Sequence, residues 1–116
     1  MPTENRAGPE LEIAHVLAMD VVGYSTLLID DQSRLIAELT RVVRETPRFR
    51  TAEAAGKLIR LPTGDGMDLV FFDSLEAPLE CAMQISATLK SHPEIRLRIG
   101  IPVSYTHLTL PTILRV

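Results

Sequence analysis

Apolar positions along this chain fall into short blocks with two different rhythms. Ala14–Met19 is nearly continuous, with Ala14, Val16, Leu17, Ala18 and Met19, the pattern of a strand buried on both faces. From about Gln32 to Glu45 the rhythm changes. Leu35, Ile36, Leu39, Val42 and Val43 share one face at helical spacing and predict an amphipathic helix. Asp30, Asp31 and Ser33 offer caps for it, and Pro47 ends it, because the ring removes a backbone donor and clashes with the preceding turn. Lys57–Leu61 and Met67–Phe72 then flank Pro62-Thr63-Gly64-Asp65-Gly66. That is a hairpin signal, since Asp-Gly and Gly tolerate the positive torsions of a tight reversal. Pro62 belongs at a strand end, where its missing ladder donor does least harm. A second helix is expected from about Ser74 or Glu76 to Ser91, with Leu75, Leu79, Ala82, Met83, Ile85 and Leu89 on its apolar face and Pro78 in its first turn. Ile95–Ile101 alternates Ile95, Leu97 and Ile99 with Arg96 and Arg98, as a strand with one solvated face does.

The order is therefore βαββαβ, an α+β chain of the ferredoxin-like arrangement. Residues 1–12 are polar, with Pro2, Gly8 and Pro9, and read as a disordered lead-in or linker. Residues 13–101 form the expected domain. Residues 102–116 do not continue its pattern: Val103–Thr112 lacks both periodicity and turn chemistry and resembles the translation of a transposase-end sequencing adapter. The expectation is that natural sequence ends near Ile101 and that the tail is foreign, to be left out of fold reasoning.

Composition narrows the function. A chain of 116 residues, 46% apolar and 23% charged, suits one globular domain. Its net charge of −3 argues against a nucleic-acid surface, which needs a basic excess. Cys81 is the only cysteine, so no internal disulfide forms and a cytoplasmic location is expected. No basic segment precedes an apolar one at the N-terminus, and Asp20, Gly23 and Ser25 break the longest apolar stretch. Neither a signal peptide nor membrane contact by this segment is expected.

The chemistry concentrates on two aspartates. Asp20 stands at the end of the first apolar run, in Ala18-Met19-Asp20-Val21-Val22-Gly23-Tyr24-Ser25, and Asp65 lies in the hairpin turn. If the runs are neighbouring strands, both carboxylates reach one rim. Hard carboxylates beside a glycine-bearing turn suit a divalent metal and a triphosphate. The other acids have simpler explanations: Asp30 and Asp31 as caps, Asp68 as a solvent-facing strand residue. His15 and His92 lack partners at ligand spacing, and Cys81 reads as a packed thiol rather than a nucleophile.

With these motifs placed, residues His15 to Ile101 resemble the class III adenylyl/guanylyl cyclase catalytic domain, here C-terminally truncated. Met19-Asp20-Val21-Val22-Gly23-Tyr24-Ser25 is similar to that family's strand-Asp-(Ile/Val)-x-Gly-(Phe/Tyr)-(Ser/Thr) step. Thr63-Gly64-Asp65-Gly66 resembles its Gly-Asp hairpin, and Leu97-Arg98-Ile99-Gly100-Ile101 its strand before a His-x-Gly step. The resemblance implies a phosphorus-oxygen lyase of cyclic-nucleotide signalling, turning ATP or GTP into a 3′,5′-cyclic nucleotide and pyrophosphate. It implies two Mg²⁺ or Mn²⁺ ions on Asp20, Asp65 and the Val21 carbonyl, and a triphosphate cradle made by the amides of Val22, Gly23, Tyr24 and Ser25. One ion would activate the ribose 3′-hydroxyl for attack on the α-phosphate while the other neutralises the triphosphate. It further implies a homodimer, or a heterodimer of cyclase domains, whose partner completes each site. Two departures stand out. Leu61 occupies the position where many adenylyl cyclases read the base with lysine, and alternation turns the adjacent Arg60 to the other face. The family's transition-state asparagine and arginine fall beyond Ile101, so no catalytic residue is assignable and the chain as it stands is expected to be inactive. The competing readings are a degenerate cyclase-homology module that binds nucleotide or dimerises without turnover, and an unrelated ferredoxin-like regulatory domain whose aspartates are coincidental.

Overall fold

The computed structural model describes residues 13–102. The lead-in expected at residues 1–12 and the foreign segment expected from Val103 on lie outside the described residues. Strand β1 (His15–Val21) leads through a single 3₁₀ turn (Tyr24–Thr26) into helices α1 (Ile29–Arg44) and α2 (Pro47–Ala54). Strands β2 (Leu58–Pro62) and β3 (Gly66–Phe71) form the hairpin, and α3 (Ala77–Leu89) leads to β4 (Leu97–Gly100). The sheet order is β2-β3-β1-β4, antiparallel at every pairing. This is a four-stranded α+β sandwich with the expected strand succession and one helix more than expected.

One core joins sheet and helices. Leu17, Met19 and Val21 on β1 and Met67, Leu69 and Phe71 on β3 meet Leu39 and Val43 of α1, Phe49 and Ala52 of α2, and Ala77, Cys81 and Ile85 of α3. Leu17 and Leu69 face each other across the ladder and are fully buried. Truncating either to alanine leaves a cavity costing on the order of 2–5 kcal/mol.

Four sequence expectations are corrected. Strand β1 is buried on one face, not two. All the helices share a core with Leu17, Met19 and Val21, whereas Val16, Ala18 and Asp20 stand half-buried on the opposite face. Helix α1 begins at Ile29, so Asp30 and Asp31 lie within its first turn instead of capping it. Leu28 takes the cap position without a side-chain hydrogen bond. The two carboxylates still favour that end through the helix dipole, and Asp31 pairs with Arg34.

Pro47 does end the first helix, but it also opens α2 at the position where a missing N–H costs nothing. Thr46 sits buried at the corner with its hydroxyl donating to the Val42 carbonyl at 3.1 Å. Finally, α3 buries Ala82 and Ile85 and packs Leu89 against the core as expected, but it also buries Ala77, Pro78 and Cys81 and leaves Leu79 and Met83 exposed, while Leu75 lies exposed before the helix begins. The rows 77/81/85 and 79/83 are offset by two residues, about 200° around the helix, so both cannot face the sheet.

Arg48 fastens α2 to α3. Its backbone N–H donates to Gln84 Oε1 at 2.8 Å, and its guanidinium donates to Glu80 Oε1 and Asp73 Oδ2, each at 2.8 Å. Burial alone would lower its pKa. The hydrogen bonds and charges of Asp73 and Glu80 outweigh that and hold it above its ordinary value.

Candidate metal and nucleotide site

The chemistry-bearing residues gather at one end of the central strands. Asp20 is the cross-strand partner of Gly66 on β3 and of Arg98 on β4. One residue on, the Val21 N–H donates to the Asp65 carbonyl at 2.8 Å, so the backbones carrying the two aspartates are in direct contact. Among the described residues no reciprocal bond from the Asp65 N–H to the Val21 carbonyl is formed. Strict alternation would turn Asp65 to the face of Val21, but Asp65 stands in the bend before β3 starts, where the pleat no longer applies, and it is exposed.

Glycine is a requirement of this junction. A Cβ on Gly66 would stand 2.0 Å from the Met19 carbonyl oxygen and 2.7 Å from the Asp20 Cα, distances no side chain tolerates. In the turn itself Gly64 adopts φ +96°, open to glycine and strained for other residues. The Thr63 N–H closes the turn onto the Gly66 carbonyl at 3.1 Å.

Asp20 is one-third exposed, with Oδ1 3.1 Å from Arg98 Nη2. The contact is electrostatic only: Oδ1 is itself buried and makes no hydrogen bond. A buried carboxylate oxygen without a donor is costly unless something else satisfies it.

The turn after β1 is well pinned. Gly23 adopts φ +77°, its carbonyl accepts from the Thr26 N–H at 3.1 Å and hydroxyl at 2.7 Å, and Gln32 Nε2 donates to the Tyr24 carbonyl at 3.0 Å. The Val22 N–H already donates to the Arg96 carbonyl at 2.7 Å. Of the four amides expected to form a cradle, those of Gly23, Tyr24 and Ser25 have no backbone acceptor among the described residues. Beside the turn lies a cavity of about 760 Å³, lined in part by Val22, Gly23, Thr26, Arg34 and Arg96; neither Asp20 nor Asp65 borders it.

Leu61 stands opposite Asp68 on β3, which in turn faces Ala18 on β1. Leu61 therefore shares the helix-free face with Asp20 and is half exposed, while Arg60 pairs with buried Leu69. Asp68 is half-buried on that same face. His92 Nδ1 lies 3.3 Å from Glu38 and 3.6 Å from Glu94, away from the aspartates in sequence and register. Cys81 is buried, and that burial pushes its thiol up to about 12. Arg98 is the site neighbour that sequence reading did not single out. The alternation of Leu97-Arg98-Ile99 placed it on an exposed face, but only the strand register shows that it meets Asp20.

Two carboxylates are few for an all-protein cage, and among the described residues no three His, Cys, Asp or Glu side chains gather into one. Magnesium-type sites in nucleotide enzymes commonly need only one or two carboxylates, with substrate phosphate and water completing the shell. The unsatisfied Asp20 oxygen, the neighbouring Asp65 backbone and the glycine-only junction fit such a group.

No family model and no curated protein matches this chain. Its fold is similar to the solved structure of a bacterial light-regulated adenylyl cyclase, with a TM-score of 0.62 and 18% identity, over 80% of this chain and 54% of that one. The chain thus has a cyclase-like α+β fold and spans about half the length of that neighbour. No described helix is long and apolar enough to cross a membrane.

Proposed function

We propose that this chain carries the metal- and triphosphate-holding half of a nucleotide cyclase site, whose parent domain forms a 3′,5′-cyclic nucleotide from ATP or GTP in cyclic-nucleotide signalling. The observation that carries the reading is the Asp20 oxygen, buried and without a hydrogen bond, on a strand end joined directly to the Asp65 backbone. Likeness of fold to an adenylyl cyclase supports it. In this reading Asp20, Asp65 and the Val21 carbonyl hold Mg²⁺ or Mn²⁺. When bound, those ions supply charge neutralisation of the triphosphate and activation of the ribose 3′-hydroxyl. In this reading the amides of Gly23, Tyr24 and Ser25, which have no backbone acceptor among the described residues, face phosphate oxygens from a turn pinned by Thr26 and Gln32, so little reorganisation accompanies binding. Arg98, beside the same carboxylate, offers a forked donor suited to a polyphosphate. A second cyclase domain completes the site.

Leu61 favours one alternative. An apolar side chain on the site face forms no hydrogen bond to a purine edge, which suits a cyclase-homology module that binds nucleotide without turnover. The test is production of cyclic nucleotide with Mn²⁺ by a domain extended past Ile101 by its genomic continuation. Product whose formation is abolished by Asp20→Asn or Asp65→Asn supports the catalytic reading. Metal-dependent nucleotide binding without product supports the module. Turnover indifferent to both substitutions refutes the assignment of the aspartates.

A further inference from the structure

We infer that Arg98 is the resting counter-ion of Asp20 and competes with an incoming divalent cation for its carboxylate, so that metal entry displaces the guanidinium. The inference rests on the proposed reading of Asp20 as a metal ligand and adds a control on its occupancy. Three observations carry it. Asp20 and Arg98 are direct cross-strand partners, so their side chains leave the sheet side by side. Arg98 Nη2 approaches Asp20 Oδ1 to 3.1 Å, yet no hydrogen bond forms. A guanidinium held only by charge is released more readily than one locked in a fork. The Arg98 side chain is also 71% exposed, so water is available to it once it swings away, whereas the carboxylate oxygen, buried in the paired state, keeps its charge and takes a replacement cation. Arg98 thereby satisfies in part the charge that a divalent ion satisfies better, and it sets a threshold below which the site stays closed to metal.

Arg96 provides the comparison. It lies two residues earlier on the same chain segment, opposite Val22 rather than Asp20, carries the same charge, and forms no ion pair with Asp20. Mn²⁺ is titrated into the purified chain without nucleotide, and free ion is read by electron paramagnetic resonance. Arg98→Gln should bind Mn²⁺ about fivefold more tightly than wild type at low salt, the scale of an exposed pair. Arg98→Lys should lie between the two. Arg96→Gln should change affinity less than about twofold, and the advantage of Arg98→Gln should shrink in about 0.5 M salt, where screening removes the pair in wild type as well.

Equal affinity of Arg98→Gln and wild type overturns the inference while leaving the metal reading intact, provided that Asp20→Asn still loses binding. Equal tightening by Arg96→Gln also overturns it, since general charge repulsion then suffices. If Asp20→Asn binds Mn²⁺ as well as wild type does, or if neither wild type nor Arg98→Gln binds any, the metal reading fails and the inference falls with it.

Discussion

Replacing Gly66 with alanine should cost more than any other glycine change in this domain. The added Cβ would lie 2.0 Å from the Met19 carbonyl oxygen, where ordinary contact begins at 3.4 Å. Backbone, not a flexible side-chain tip, is the obstacle, so β1 and β3 must part by about 1 Å or more at this pair. Overpacking of that kind costs about 1–3 kcal/mol. The shift also stretches the Val21-to-Asp65 bond of 2.8 Å and the Thr63-to-Gly66 bond of 3.1 Å, each worth about 1 kcal/mol. The total is about 3–5 kcal/mol, a large share of the roughly 5–15 kcal/mol that holds a domain folded. Two internal comparisons sharpen the test. A Cβ on Gly100 meets nothing within 4 Å and no positive φ opposes it, so Gly100→Ala should be neutral or stabilise by about 0.5 kcal/mol. Gly64 also has open space but sits at φ +96°, so Gly64→Ala should cost about 1–2 kcal/mol of backbone strain. Urea unfolding followed by circular dichroism gives the three midpoints. A Gly66→Ala midpoint indistinguishable from that of Gly100→Ala would refute the close approach on which the Asp20–Asp65 juxtaposition depends.

Other consequences follow from particular contacts. Arg48→Ala should destabilise by about 2 kcal/mol in the same urea assay, since it strips donors from Asp73 and Glu80; Arg48→Lys should recover only part, because a single ammonium does not serve both carboxylates in a fork. Burial raises the Cys81 thiol to about 12 in the fold, so the neutral form is favoured there while the unfolded chain ionises near 8.5–9. The folded state then binds more protons than the unfolded one. Stability is fully present below about pH 9 and falls as pH rises toward 12, by at most about 1.4 kcal/mol per unit; Cys81→Ala should flatten that part of the pH profile of urea unfolding. Under the proposed function, Leu61→Lys should strengthen Mn²⁺-dependent binding of a purine triphosphate measured by calorimetry, since it places a donor on the face that carries Asp20. Unchanged affinity would remove Leu61 from the base-reading position.

Much of this arrangement was legible in the residues themselves. Turn chemistry located the hairpin to within a residue, because Gly64 must accept a positive φ and Pro62 must end an edge strand. Alternation put Arg60 and Leu61 on opposite faces, and the order of periods gave the α+β sandwich. What escaped depended on choices made between elements. The split of α1 from α2 at Pro47 could be seen as a stop but not as a new start, because a proline serves both. On α3, periodicity places Ala82, Ile85 and Leu89 on the core side, but Ala77, Pro78 and Cys81 take the buried row in place of Leu79 and Met83, a choice made by the packing between helix and sheet. Of the candidate site, the two aspartates stand out through their flanking glycines, and the strand register brings their backbones together. The Arg98 contact needed the β1–β4 register, and the engagement of the Val22 amide by Arg96 needed the loop to be closed. No local pattern encodes either.

Anomalous scattering of Mn²⁺ in crystals of the chain soaked with the ion and a non-hydrolysable triphosphate reads out whether the two aspartates share a metal. Manganese is expected within about 2.1 Å of carboxylate oxygens of both Asp20 and Asp65, with Arg98 moved off Asp20 and phosphate oxygens against the amides of Gly23, Tyr24 and Ser25. Manganese bound elsewhere, with the Asp20–Arg98 pair undisturbed, would contradict it.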